Sequence, residues 1–193
     1  MDRIYRFAPA PFIRHDLFMS EPSPHIVNID DAEEVAELVG ERWGGYYKLL
    51  TPPGPRLGHL GVNVSRVPPG RTACPFHSHQ LEDEVFYILS GRGVLRYGSS
   101  LRVVGPGDCI TCQSGTGVAH QLVNGFDEDL VYLSVGMNDP NEVCVYPDSG
   151  KVMVRALHEI GYLSQTEYFE GEPEEPRIFS LAKEVAQGKP HKG

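Results

Sequence analysis

The stretch Glu84-Val-Phe-Tyr-Ile-Leu-Ser-Gly-Arg-Gly93-Val-Leu-Arg-Tyr-Gly-Ser-Ser100-Leu-Arg-Val-Val-Gly-Pro-Gly107-Asp-Cys-Ile-Thr-Cys112 decides the fold. It consists of short runs rich in β-branched and aromatic residues, broken by Ser90-Gly-Arg-Gly93, Gly98-Ser-Ser100 and Gly105-Pro-Gly107. Such runs, separated by tight-turn residues, read as strands 84–89, 93–97, 101–104 and 108–112. Outward from them, the same pattern gives strands at 59–67, 118–123 and 130–135, the first ending at Pro68-Pro69-Gly70. Pro147-Asp-Ser-Gly150 joins 143–146 to 151–155 as one more hairpin. Strands about ten residues apart, with no helices between them, predict an all-β antiparallel sandwich or barrel.

The flanks read differently. Pro9, Pro11, Pro22 and Pro24 punctuate an extended N-terminal arm, and Thr51-Pro-Pro-Gly-Pro55 is a rigid connector. Between them one short helix is expected. Asp30 and Glu33 make a capping box, Val35, Leu38 and Val39 recur at helical spacing, and Gly40 supplies a left-handed stop. From Glu167 the chain reads as an extended acidic tail carrying Glu170, Glu172, Glu174 and Glu175, frayed at its last residues.

Composition narrows the function. The net charge is −9 with no Lys or Arg run, which disfavours nucleic acid as a partner. No apolar run is long enough for a membrane helix, and Met1-Asp-Arg-Ile-Tyr-Arg-Phe7 does not read as a signal peptide. Four cysteines in such a chain are expected to be reduced thiols in a cytoplasm.

The chemistry gathers at two turns. His77 and His79 are two apart, so extended backbone sends both imidazoles to the same side. Glu84 opens the next strand in phase with Phe86 and Ile88, and His120 alternates with Leu122 and Asn124. If those faces turn inward, three imidazoles and one carboxylate converge. Such a donor set suits one divalent first-row metal (Fe, Mn, Co, Ni, Cu or Zn) without a thiolate.

These residues resemble the cupin superfamily. Gly70…His77-Ser-His79-Gln-Leu-Glu-Asp-Glu84…Gly91 follows the family's first motif, and Gly117-Val-Ala-His120-Gln-Leu-Val-Asn124 the end of its second. Gly70 to His77 is one residue longer than usual, Gly115 stands where proline is usual, and the stretch from Gly107 to Gly117 is long. The likeness spans residues 58–137 and implies a double-stranded β-helix, a jelly-roll barrel, with His77, His79, Glu84 and His120 as metal ligands. It frames residues 1–56 as an arm and helix packed on the barrel. Residues 57–140 become the cupin barrel and 141–193 a C-terminal hairpin and acidic tail, all in one structural domain.

Other residues have plainer readings. Glu82 and Asp83 read as a solvated turn, since the six-residue interval to Gly91 favours Glu84. Cys109 and Cys112 read as buried structural thiols; Cys74, three residues before His77, is the one thiol that could lie near the metal, though packing in the preceding loop is its favoured reading. His15, His25, His59, His158 and His191 lack ligand spacing, while Arg92, Arg96 and Arg102 read as solvated edge residues. Strand 84–89 is apolar on both faces, so something covers its outer side; cupins pair through such faces, which implies a homodimer.

The expected function is that of a metal-dependent enzyme on a small polar organic substrate. A dioxygenase, a sugar or sugar-phosphate isomerase, or a decarboxylase would fit, with no catalytic acid or base assignable. The alternative is a non-catalytic small-ligand-binding or sensor protein.

Overall fold

The computed structural model describes residues 25–51 and 59–187. The proline-punctuated arm, most of the 51–55 connector, His15, His191 and the chain end after residue 187 lie outside the described residues. In chain order the strands are β1 (Glu34–Val39), β2 (Trp43–Leu49), β3 (Leu60–Val67), β4 (Ser78–His79), β5 (Glu84–Ser90), β6 (Gly93–Tyr97) and β7 (Ser100–Val104). There follow β8 (Cys109–Cys112), β9 (His120–Val123), β10 (Leu130–Met137), β11 (Val143–Tyr146), β12 (Lys151–Val154) and β13 (Glu159–Gly161). A single α-helix among the described residues, α1 (Arg177–Ala186), comes last.

Three antiparallel sheets result, ordered β1-β2-β3-β10-β5-β8, β7-β6-β9 and β13-β12-β11-β4. The first two face each other across a core of Val67, Phe86, Ile88, Leu95, Val104, Ile110, Cys112, Leu122, Leu130 and Tyr132. These are the inward positions of the period-two runs, so side-chain alternation alone aims them at one interior. The arrangement is that of a jelly roll. Gly91 holds the β5–β6 turn at φ +73°, and a Cβ there would sit 2.1 Å from the Asp129 carbonyl oxygen. Only glycine fits that close approach.

The expected N-terminal helix is not formed. Glu34–Val39 is a strand paired with β2 from Glu34↔Lys48 to Val39↔Trp43. Gly40 does take the left-handed conformation, at φ +53°, but it turns a hairpin. Val35 and Val39 are β-branched, and Glu34 is held by the Arg66 guanidinium across the sheet. Pairing with a strand distant from any local capping signal outweighs the capping box. Asn28, rather than Asp30, serves the turn, its Oδ1 accepting from the Asp30 amide.

The tail also departs from its expected extended form. Ile178, Leu181, Ala182 and Val185 recur at helical spacing after Pro176, and Arg177–Ala186 is helical, with no residue buried. No helix among the described residues is long and apolar enough to cross a membrane.

Candidate metal centre

Main-chain pairing brings the two histidine segments together. The His77 amide donates to the His120 carbonyl at 3.1 Å, and the His120 amide donates to the His77 carbonyl at 2.7 Å. Their rings stand 4.4 Å apart, centroid to centroid. His79 ends β4 opposite Cys144 of β11, and Glu84 opens β5 opposite Gly136 of β10 and Cys112 of β8. One ligand atom from each of His77, His79, Glu84 and His120 lies within 4.8 Å of every other.

The Nε2 atoms converge on one carboxylate oxygen. Glu84 Oε2 lies 2.9 Å from His120 Nε2, 3.2 Å from His79 Nε2 and 3.6 Å from His77 Nε2. His77 Nδ1 reaches the Pro75 carbonyl at 2.8 Å and His79 Nδ1 reaches Glu142 Oε1 at 3.2 Å. Oxygens of those kinds only accept, so in the neutral rings Nδ1 carries the proton and Nε2 a lone pair. Two lone pairs then face a carboxylate, and His79 Nε2 is a buried nitrogen with no hydrogen-bond partner. Buried polar atoms are rarely left in that condition. A cation among the four atoms would satisfy them all. Three imidazoles and one carboxylate fit a divalent first-row ion, and the outward-turned Nδ1 contacts are the orienting bonds that metal-binding histidines make.

The same groups are also coupled electrostatically. Burial works against the His77 imidazolium, but its contacts with Cys74 and Glu84 lift its pKa to about 11. Burial pushes Glu84 up, yet the three imidazoles around it, His120 above all, hold it well below the usual carboxylate range. Burial keeps His120 below the ordinary histidine value. The carboxylate is thus charged and surrounded by three imidazoles. Its side chain is 23% exposed, whereas that of His120 is 2% exposed, so the cluster opens on the Glu84 side.

The surroundings correct several expectations. Glu82 is no solvated turn residue: it is 3% exposed, and both carboxylate oxygens are engaged by the Arg155 guanidinium. Asp83 is the solvated one, accepting from the Ser114 amide and hydroxyl at 2.8 Å each. Cys112 is buried as expected but Cys109 is exposed, because residues three apart on a strand face opposite ways. Cys74 lies beside the cluster, its Sγ 3.7 Å from His77 Nδ1. Arg96 makes a two-pronged pair with Asp148 and covers the Phe76 ring at 3.5 Å, so it is committed rather than solvated. His25, His59 and His158 stand outside the cluster.

Gly115, found where proline is usual, has a direct reason. Its φ is +69° and its amide donates to the His79 carbonyl at 2.9 Å; proline can do neither. Glu142 and Arg155, which hold the far side of His79, were not singled out from sequence. A groove of about 490 Å³ lies elsewhere, between β6–β7 and β8, lined by Leu95, Tyr97, Arg102, Asp108 and Cys109 among others and by none of the four ligands.

Comparison with known proteins agrees with this picture. The cupin domain family matches residues 63–136. An oxalate-binding protein of Thermotoga maritima is 33% identical over 70 residues, 36% of this chain and 55% of its own length. The chain therefore spans about half the length of that curated relative. Among solved structures, a sugar phosphate isomerase from a cupin superfamily in Silicibacter pomeroyi superposes with a TM-score of 0.57 at 26% identity, covering 67% of this chain and 85% of that one. A protein of Acidithiobacillus ferrooxidans, provisionally named a sugar phosphate isomerase, gives 0.59 at 22% identity over 72% and 93% of the two chains. With this strand order and these paired histidine segments, residues 63–136 form a domain that matches the cupin family.

Proposed function

We propose that this protein is a metal-dependent enzyme acting on a small polar organic molecule. The observation that carries the reading is the approach of three imidazole nitrogens and one carboxylate oxygen to within 4.8 Å of one another. Bound there, a divalent ion supplies Lewis-acid polarisation of substrate oxygens. The chain's own part is to orient and to exclude water. Phe86 and Leu122 are buried in the core, and the Phe86 ring centroid lies 5.8 Å from that of His120. They form an apolar floor beneath the ligands. His77 and His79 are aimed by the Pro75 carbonyl and the Glu142 carboxylate.

Among the three candidate reactions, the likeness to the Silicibacter pomeroyi protein favours isomerisation of a sugar phosphate. The match to an oxalate-binding protein supports a second reading, capture of a small dicarboxylate without turnover. Elemental analysis of protein purified without chelator should give one first-row ion per chain, and the loaded protein should interconvert an aldose phosphate and its ketose. A metal-loaded protein with no turnover but raised melting temperature in oxalate would establish the second reading instead. Protein that takes up no metal would overturn both.

A homodimer is part of the proposal. Tyr87 and Leu89, on the outer face of β5, are each 43% exposed, and Val85 beside them is half-buried. Covering such a row removes apolar area from water. Light scattering is expected to give twice the chain mass at micromolar concentration. A monomer under those conditions counts against it.

A further inference from the structure

Glu142 is 0% exposed, just ahead of β11, and is not one of the four clustered ligands. Its Oε1 accepts from the Gln80 amide at 3.0 Å and faces His79 Nδ1 at 3.2 Å, while Oε2 accepts from the Leu81 amide at 2.9 Å. A buried carboxylate is costly unless every lone pair has work. Here all the donors belong to His79 and the two residues after it.

Glu142 is itself tied down. The Arg155 amide donates to the Glu142 carbonyl at 2.9 Å, and the Arg155 guanidinium donates to the Asp139 carbonyl and to Glu82. This second group of acids around His79 is not another cation site. Both Glu82 oxygens face a guanidinium, and both Glu142 oxygens accept from main-chain amides.

We propose that Glu142 is a positioning residue. It fixes His79 with the proton on Nδ1 and the bare Nε2 aimed at Glu84, so that residues 139–155 of the C-terminal hairpin belong to the metal centre. Its consequence for affinity rests on the metal reading above; its consequence for the tautomer does not. A neutral amide cannot replace the carboxylate, since one of its two arms becomes a donor facing an N–H.

The test is long-range ¹H–¹⁵N NMR of the full chain before metal is added, followed by Zn(II) titration against a chelator. Wild-type His79 is expected to show protonated Nδ1 and unprotonated Nε2. Glu142→Gln should mix the two tautomers at His79, leave the His77 pattern unchanged, and weaken Zn(II) roughly 10–100-fold. A wild-type His79 protonated on Nε2 would overturn the proposal without requiring any variant to fold. So would a Glu142→Gln chain that keeps its His79 tautomer and binds Zn(II) within twofold of wild type. Wild type with the expected tautomer but no Zn(II) binding would support the positioning role and sink the metal reading.

Discussion

His77→Ala and His79→Ala are each expected to strip stoichiometric metal from the protein and to abolish any activity that depends on it. Loss of an outer hydrogen-bond partner already costs roughly 10–100-fold in metal affinity, and loss of a donor atom costs more. The three Nε2 atoms stand 2.9, 3.2 and 3.6 Å from one Glu84 oxygen, so each lost imidazole removes one of the four donor atoms of the cluster. The fold should survive. The link between the His77 and His120 segments is made by main-chain amides and carbonyls, which alanine retains. The measurement is elemental analysis together with thermal melting. At a metal concentration about a thousandfold above Kd, wild type gains about 4 kcal/mol from binding, and the variants should gain almost none. Variants that keep one ion per chain would remove these residues from the site.

The second large effect is mechanical. Arg155→Met should destabilise the chain by about 3 kcal/mol, near the low end of the roughly 3–5 kcal/mol lost when a buried ion pair loses one partner. Glu82 is 4% exposed in its side chain and would keep a charge with no guanidinium to answer it. The loss stays at the low end because the Asp139 amide still donates to Glu82 at 2.6 Å and the Arg155 side chain is 33% exposed. Urea unfolding of the full chain measures it. The double variant Glu82→Leu with Arg155→Met should recover much of the deficit, since the stranded charge is then gone. A single variant within ~0.5 kcal/mol of wild type would mean the pair contributes nothing beyond a surface contact.

Much of the sheet was legible because alternation is a local property. Gly93–Tyr97 and Val143–Tyr146 fall where the period of two places them, and the turns fall on the glycines between. β4 was not legible: two residues carry no period, and Ser78–His79 is a strand only because β11 lies beside it. β1 was misread because Glu34–Val39 satisfies a helical spacing as well as an extended one. Its choice was made by Trp43–Leu49, whose Gly-Gly-Tyr-Tyr core shows no clear alternation of its own. The helix at Arg177–Ala186 did carry its signal, hidden behind the acidic, proline-containing run ahead of it.

From the order of its residues alone, this chain specified the donor types and their spacing. Two imidazoles a dipeptide apart, an acid at the head of a strand and a third imidazole on another are written into short segments. Only the folded chain decided which nitrogen of each ring faces inward, because that depends on acceptors such as Pro75 and Glu142, and Glu142 lies 63 residues from the histidine it orients. It likewise decided that Glu82 is paired by an arginine 73 residues away rather than left in water. Spacing is set by covalent geometry and can be counted along the chain. A hydrogen-bond partner is set by proximity in space, which no count along the chain contains.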